Sequence, residues 1–224
     1  MTTPHADKAS EATALLIDYG GVLTASVVEA FSAACASIGV NSQGFLNEAF
    51  AASHASDSPF ASLELGQISE EEFSERLTPV LRRHASNPVD GHQFYAAVQN
   101  VIWDLDAVMT AAVNNLISAG VPTVLVSNSW GTSDTYPWDQ LPAFTAVVVS
   151  SDVGLRKPDR DIYLLAADRI GVEPAKCVFV DDLEVNLAPA RELGMTTVLH
   201  TAAETTITEL ARLFGVTDAI PGRT

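Results

Sequence analysis

Five short apolar runs punctuate the chain: Ala14 to Ile17, Thr123 to Ser127, Ala146 to Ser150, Cys177 to Val180 and Thr196 to Leu199. None alternates between apolar and polar, so each suits a strand buried on both faces, as in a parallel sheet. Segments with helical spacing separate the later runs: Ala107 to Ala119, Asp159 to Ile170 and Val185 to Leu193. Each of these closes on a glycine (Gly120, Gly171, Gly194), a common helix stop. Strand alternating with helix predicts an α/β fold with a doubly wound parallel sheet.

The stretch from Val27 to Gln99 breaks this rhythm. Helical patterns fill it (Val27 to Ile38, Gln43 to His54, Glu70 to Arg83, Gly91 to Asn100), and no strand signal interrupts them. Ser69 before Glu70, Glu71 and Glu72 is a helix start, with a capping hydroxyl and acids at the positive end of the dipole. The expected organisation is an α/β core over 11–26 and 100–215, a helical cap over 27–99, and flexible ends over 1–10 and 216–224. Phe45, Leu63, Leu65 and Phe73 are candidates either for the underside of that cap or for its own core.

Composition narrows the partners. Of 224 residues, 47% are hydrophobic and 18% charged, which fits a well-buried globular protein. The net charge of -16 repels a polyanion across the whole surface and argues against nucleic acid. A small phosphorylated ligand would need a metal and a few cations to reverse the field locally. No apolar run approaches the roughly 20 residues that span a bilayer, so no membrane partner is expected. Met1 to Ser10 is polar and reads as a short leader without the apolar centre of a signal peptide. Cys35 and Cys177 are far apart and read as buried free thiols in a reducing, cytoplasmic compartment. The oligomeric state is not legible.

Parallel sheets bind ligands beyond the carboxyl ends of their strands. The polar residues that close the runs should therefore meet: Asp18 after the first, Ser127 and Asn128 after the second, Asp181 and Asp182 after the fourth. Lys157 joins them from the loop between the third and fourth runs, where Gly154 and Pro158 suggest a fixed turn. Taken singly, each has a plainer reading as a turn former, a helix cap or a solvated lysine. Trp130 suits a pocket wall or simple packing. His54 and His84 read as solvated histidines, and Asp104 and Asp106 as acids at a helix start.

The order of four segments resembles the motifs of the haloacid dehalogenase superfamily. They are Ile17-Asp18-Tyr19-Gly20-Gly21-Val22-Leu23-Thr24, Val126-Ser127-Asn128-Ser129, Arg156-Lys157-Pro158-Asp159, and Phe179-Val180-Asp181-Asp182-Leu183-Glu184-Val185-Asn186. The resemblance implies a magnesium-dependent phosphatase acting on a small phosphorylated metabolite, with Asp18 as nucleophile and an aspartyl-phosphate intermediate. It also implies a metal held by Asp18, the Gly20 carbonyl and Asp182, with Asp181 and Asn186 behind them. Ser127, Asn128 and Lys157 would bind the phosphoryl group, and Lys157 would keep Asp18 ionised. One position departs from the pattern. Most phosphatases of the family place a second aspartate, the general acid–base, two residues after the nucleophile, and here that residue is Gly20. Two alternatives therefore stay open: a metal-independent 2-haloacid dehalogenase-type hydrolase, and a catalytically weak binding protein.

Overall fold

A computed structural model describes residues 12–52 and 58–216, with the side chains of 50–52 left aside. The expected flexible ends, apart from Val216, and His54 lie outside the described residues. Five strands form one wholly parallel sheet: β1 (Ala14–Ile17), β2 (Thr123–Ser127), β3 (Ala146–Val149), β4 (Cys177–Asp181) and β5 (Thr196–Leu199). Their order is β3-β2-β1-β4-β5. The first strand thus lies at the centre. The chain builds outward on one side through β2 and β3, then crosses back to build β4 and β5 on the other. The point where the order reverses falls between β1 and β4, which is where an open α/β sheet leaves a crevice.

Burial explains the uninterrupted runs. Every residue of β1, β2 and β4 is buried. One face of the sheet packs on α6 (Ala107–Ser118) and α10 (Ala203–Phe214), the other on α8 (Arg160–Asp168) and α9 (Glu184–Glu192), and the one-turn α7 (Ser150–Val153) follows β3 directly. The α6 start is capped by Asp106, whose Oδ1 accepts from the Val108 and Met109 N–H groups at 2.8 and 2.9 Å. Asp106 is therefore a helix cap, as its sequence position suggests.

Between β1 and α6 the chain forms α1 (Val27–Ser37), α2 (Ser42–Ala52), α3 (Pro59–Glu64), α4 (Glu70–Arg83) and α5 (Gly91–Ile102). They enclose a core of their own around Phe31, Phe45, Phe73, Leu77 and Phe94. Two of these helices depart most from expectation. Helix α5 runs past residue 100 to Ile102, because Val98 and Ile102 continue its buried face. Helix α3, only six residues long, has no periodicity to announce it, although Pro59 at its first turn favours a start there. The two crossings of the chain between sheet and helices meet as an isolated antiparallel bridge between Thr24 and Leu105.

Candidate active site

The sheet delivers the expected residues to one rim. Asp18 follows β1 directly, and its backbone N–H donates to the Val180 carbonyl of β4 at 3.0 Å, fixing it beside Asp181. Lys157 reaches the same point from the loop before α8. Its Nζ lies 2.6 Å from Asp18 Oδ1 and 2.8 Å from Asp181 Oδ2, with 1% of the side chain exposed. Asp181 is fully buried and accepts further bonds from the Leu183 N–H at 2.8 Å and from Asn186 Nδ2, which donates to both its oxygens at 3.0 and 3.1 Å. One helical turn after Asp182, Asn186 thus serves Asp181.

Three carboxylates, those of Asp18, Asp181 and Asp182, bring oxygens within 4.8 Å of one another. They face one ammonium in this cluster, so negative charge is in excess. Burial pushes the Asp18 carboxyl well above the ordinary carboxylate range. Lys157 opposes this, and the Asp181 and Asp182 charges reinforce it. Lys157, shared between Asp18 and Asp181, opposes this rise without cancelling it. Burial and Asp181 likewise raise Asp182 to about 6. For Lys157 itself, burial works against the charge, but Asp18 and Asp181 more than compensate and hold it protonated.

Hard oxygen donors crowded this closely suit a small divalent cation, and magnesium fits the donor set. The Gly21 backbone supports the same reading. Its φ is 78°, and a Cβ built there would sit 2.1 Å from Asp182 Oδ2. Only glycine lets the loop after Asp18 approach the Asp182 carboxylate so closely. Gly20 is different: its φ lies outside the left-handed range, and a Cβ would meet Val27 Cγ2 at an ordinary 3.4 Å. Nothing in the backbone demands glycine at position 20.

Ser127 and Asn128 stand at the end of β2. The Ser127 hydroxyl pairs with the Tyr136 hydroxyl at 2.9 Å. Asn128 holds the Lys157 loop in place, accepting from the Lys157 N–H at 2.8 Å and donating to its carbonyl at 3.0 Å. Its Nδ2 also lies 3.3 Å from Glu64 Oε2, and that same oxygen lies 2.8 Å from Arg156 Nε. Burial raises Glu64 to about 7 even though Arg156 and Lys157 pull the other way.

Above this rim is a chamber of about 210 Å³, reached by all eight expected site residues except Asp181, which lies beneath it. Trp130 proves to be both wall and packing: it lines the chamber and sits 5.0 Å from the Phe31 ring and 5.2 Å from that of Phe73. Phe45, Leu63 and Phe73 are buried in the helical core, Leu65 is half-buried, and none of the four lines the chamber. Phe31, Phe60, Ile102, Trp103 and Tyr136 take that place. His84 lies away from it, with Nε2 2.8 Å from Glu48 Oε2. Sequence reasoning missed Glu64, Tyr136 and the role of Gly21. The last stood inside a quoted motif, but nothing around Glu64 or Tyr136 marks them.

A family model for haloacid dehalogenase-like hydrolases matches residues 12–194. Bifunctional epoxide hydrolase 2 of Sus scrofa is 30% identical over 198 residues, covering 80% of this chain and 35% of that protein. The chain thus spans about a third of that relative's length. Fructose-1-phosphate phosphatase of Escherichia coli is 42% identical over 55 residues, 25% of this chain and 29% of its own. Among solved structures, a haloacid dehalogenase-family enzyme of Bacteroides thetaiotaomicron was determined as an aspartate-to-alanine variant with magnesium and inorganic phosphate. It is 24% identical, with a TM-score of 0.63, over 85% of this chain and 95% of its own. No helix among the described residues is long and apolar enough to cross a membrane. Fold, rim and family match agree, and the chain belongs to the haloacid dehalogenase-like hydrolases.

Proposed function

We propose that this hydrolase cleaves phosphate monoesters of small metabolites, with Asp18 as the nucleophile and magnesium as its cofactor. One observation carries the reading: the Asp18 carboxylate sits at the switch point of the sheet, 2.6 Å from a buried lysine, in a cluster whose acids outnumber its cations. Asp18, Asp182 and the Gly20 carbonyl would hold the cation, which supplies positive charge against the crowded acids and the phosphoryl oxygens. Asp181, held by Lys157, Asn186 and the Leu183 N–H, has its oxygens occupied and serves as support.

The chain's own residues then divide the work. Asp18 attacks phosphorus, and the bond to the leaving oxygen breaks as the aspartyl-phosphate forms. The Ser127 hydroxyl and Lys157 hold phosphoryl oxygens, with Asn128 fixing the Lys157 loop and lying beside them. Gly20 offers no side chain, so the leaving oxygen takes its proton from water. Water then attacks phosphorus, releases inorganic phosphate and restores Asp18. The similarity to a fructose-1-phosphate phosphatase supports a phosphate ester as substrate. Two buried free thiols, Cys35 and Cys177, support a reducing, cytoplasmic setting.

The test is hydrolysis of para-nitrophenyl phosphate with magnesium and with chelator, beside halide release from 2-chloropropionate in metal-free buffer. Phosphate release that needs magnesium, with no halide released, is the expected result. Undiminished phosphate release under chelation rejects the metal. Halide release alone moves the chain to the dehalogenases.

A further inference from the structure

The chamber over Asp18 is walled mainly by hydrocarbon: Val27, Phe31, Phe60, Ile102, Trp103 and Trp130. Three more of its lining side chains, Val28, Leu183 and Val185, are 44%, 42% and 49% exposed. Large apolar groups left in water at one opening mark a surface that something apolar covers. The polar groups of the wall are engaged with one another. Glu64 lies against Arg156 and Asn128, Asn128 holds the Lys157 backbone, and the Tyr136 hydroxyl meets Ser127. Two polar atoms without a partner, Trp130 Nε1 and Tyr19 Oη, are shielded from solvent, so neither meets an entering hydroxyl.

A polyol placed here would lose water from every hydroxyl and recover few hydrogen bonds. Hydrocarbon would lose nothing and gain by burial. Resting on the phosphatase reading above, we propose that the leaving group is an apolar alcohol or phenol, and that the substrate is a soluble alkyl or aryl phosphate. Ser127 and Lys157 take the phosphoryl end, and the aromatic wall takes the hydrocarbon. The net charge of -16 works against docking on an anionic membrane and favours a substrate met in solution.

The experiment is a series of para-n-alkylphenyl phosphates, from methyl to pentyl, assayed with magnesium. Leaving-group acidity stays nearly constant along the series while the tail lengthens, so chemistry and burial separate. Burial of one methylene is worth about 0.8 kcal/mol, so kcat/KM should rise about fourfold per added methylene until the chamber is full. Glucose 1-phosphate and fructose 1-phosphate should run at least tenfold below phenyl phosphate. Val28→Ser combined with Val185→Ser, at exposed positions where folding is not at stake, should cut the gain per methylene to about twofold. Octyl phosphate, free in solution and held in phosphatidylcholine vesicles, separates the two sources of such an ester. Turnover from vesicles alone overturns the soluble assignment. A flat series, or sugar phosphates above the aryl esters, overturns the apolar leaving group while leaving the phosphatase reading intact. No hydrolysis of any ester overturns both.

Discussion

On the floor of the chamber, Asp18, Lys157, Asp181 and Asn186 hold one another through contacts of 2.6 to 3.1 Å, delivered by strand ends, the loop before α8 and the first turn of α9. The roof is made of side chains from α1, α3 and α5, backed by rings packed edge to face: Phe31 against Phe94 at 5.4 Å, and Phe60 against Phe73 of α4 at 5.3 Å. The floor is charged and directional and, on the phosphatase reading, indifferent to what the substrate is beyond its phosphate. The roof is apolar, and many shapes of similar volume would satisfy its packing. Reactivity is thus fixed where geometry is exacting, and selectivity sits where it is permissive.

Substitutions can break this division. The largest effect should come from the floor alone. Asp18→Asn removes the attacking charge while keeping the side chain's shape, so turnover should fall by ~10³-fold or more with the circular dichroism unchanged. Wild-type rates in a contaminant-free preparation would rule out Asp18 as nucleophile.

Next comes Gly20→Asp, which adds an acid at the border between floor and roof. The backbone there accepts a side chain, with Val27 Cγ2 at 3.4 Å from the new Cβ. A restored general acid should speed simple alkyl phosphates by about 10²-fold and aryl phosphates much less. Equal acceleration of both would show that leaving-group protonation does not limit the wild type.

A smaller contrast separates the adjacent acids. Asp182→Ala should raise the magnesium needed for half activity by about tenfold. Asp181→Ala should instead destabilise the fold by about 3–5 kcal/mol, since it strips a buried partner from Lys157. Magnesium titrations and melting curves of the two variants read the difference, and equal magnesium effects would reverse the assignment.

The smallest effect belongs to the roof. Glu64, raised by burial to about 7, binds its proton more tightly folded than unfolded. Its contribution to stability is then full below its unfolded value of 4.5 and fades as pH rises through about 7. Between pH 8 and 5 the wild type should gain melting temperature relative to Glu64→Gln. A constant gap between the two curves across that range would mean that Glu64 stays ionised.

The same division governs what the sequence discloses. Strand-end residues were legible because parallel strands are buried on both faces and end abruptly, so Ile17 hands over to Asp18 and Val180 to Asp181 with a sharp change of polarity. All five strands, Asp18 and Asp181 followed from that, while Lys157 and Asn186 came from the order of the motifs. Helix α10 was missed because the chain after β5 opens on Thr201, Ala202 and Ala203 with little contrast, though Ile207, Leu210 and Leu213 form its buried stripe. The roof stayed open between lining and core for a different reason. Phe45 and Phe73 look like Phe31 and Phe60 in one dimension, and only the packing of the helices decides which aromatic faces the chamber. Glu64 was invisible because its partners, Asn128 and Arg156, lie 64 or more positions away along the chain.

The bridge between Thr24 and Leu105 carries a practical consequence. The outgoing and returning crossings of the helical stretch pass through one spot, and the Asp106 N–H donates to the Leu23 carbonyl there at 2.7 Å. A segment whose two ends touch can be exchanged as a cassette without rerouting what it is inserted into. Grafting the equivalent stretch of another family member between these positions would put a foreign ceiling over a native hearth. The chimaera would keep the reaction and change the molecules admitted to it.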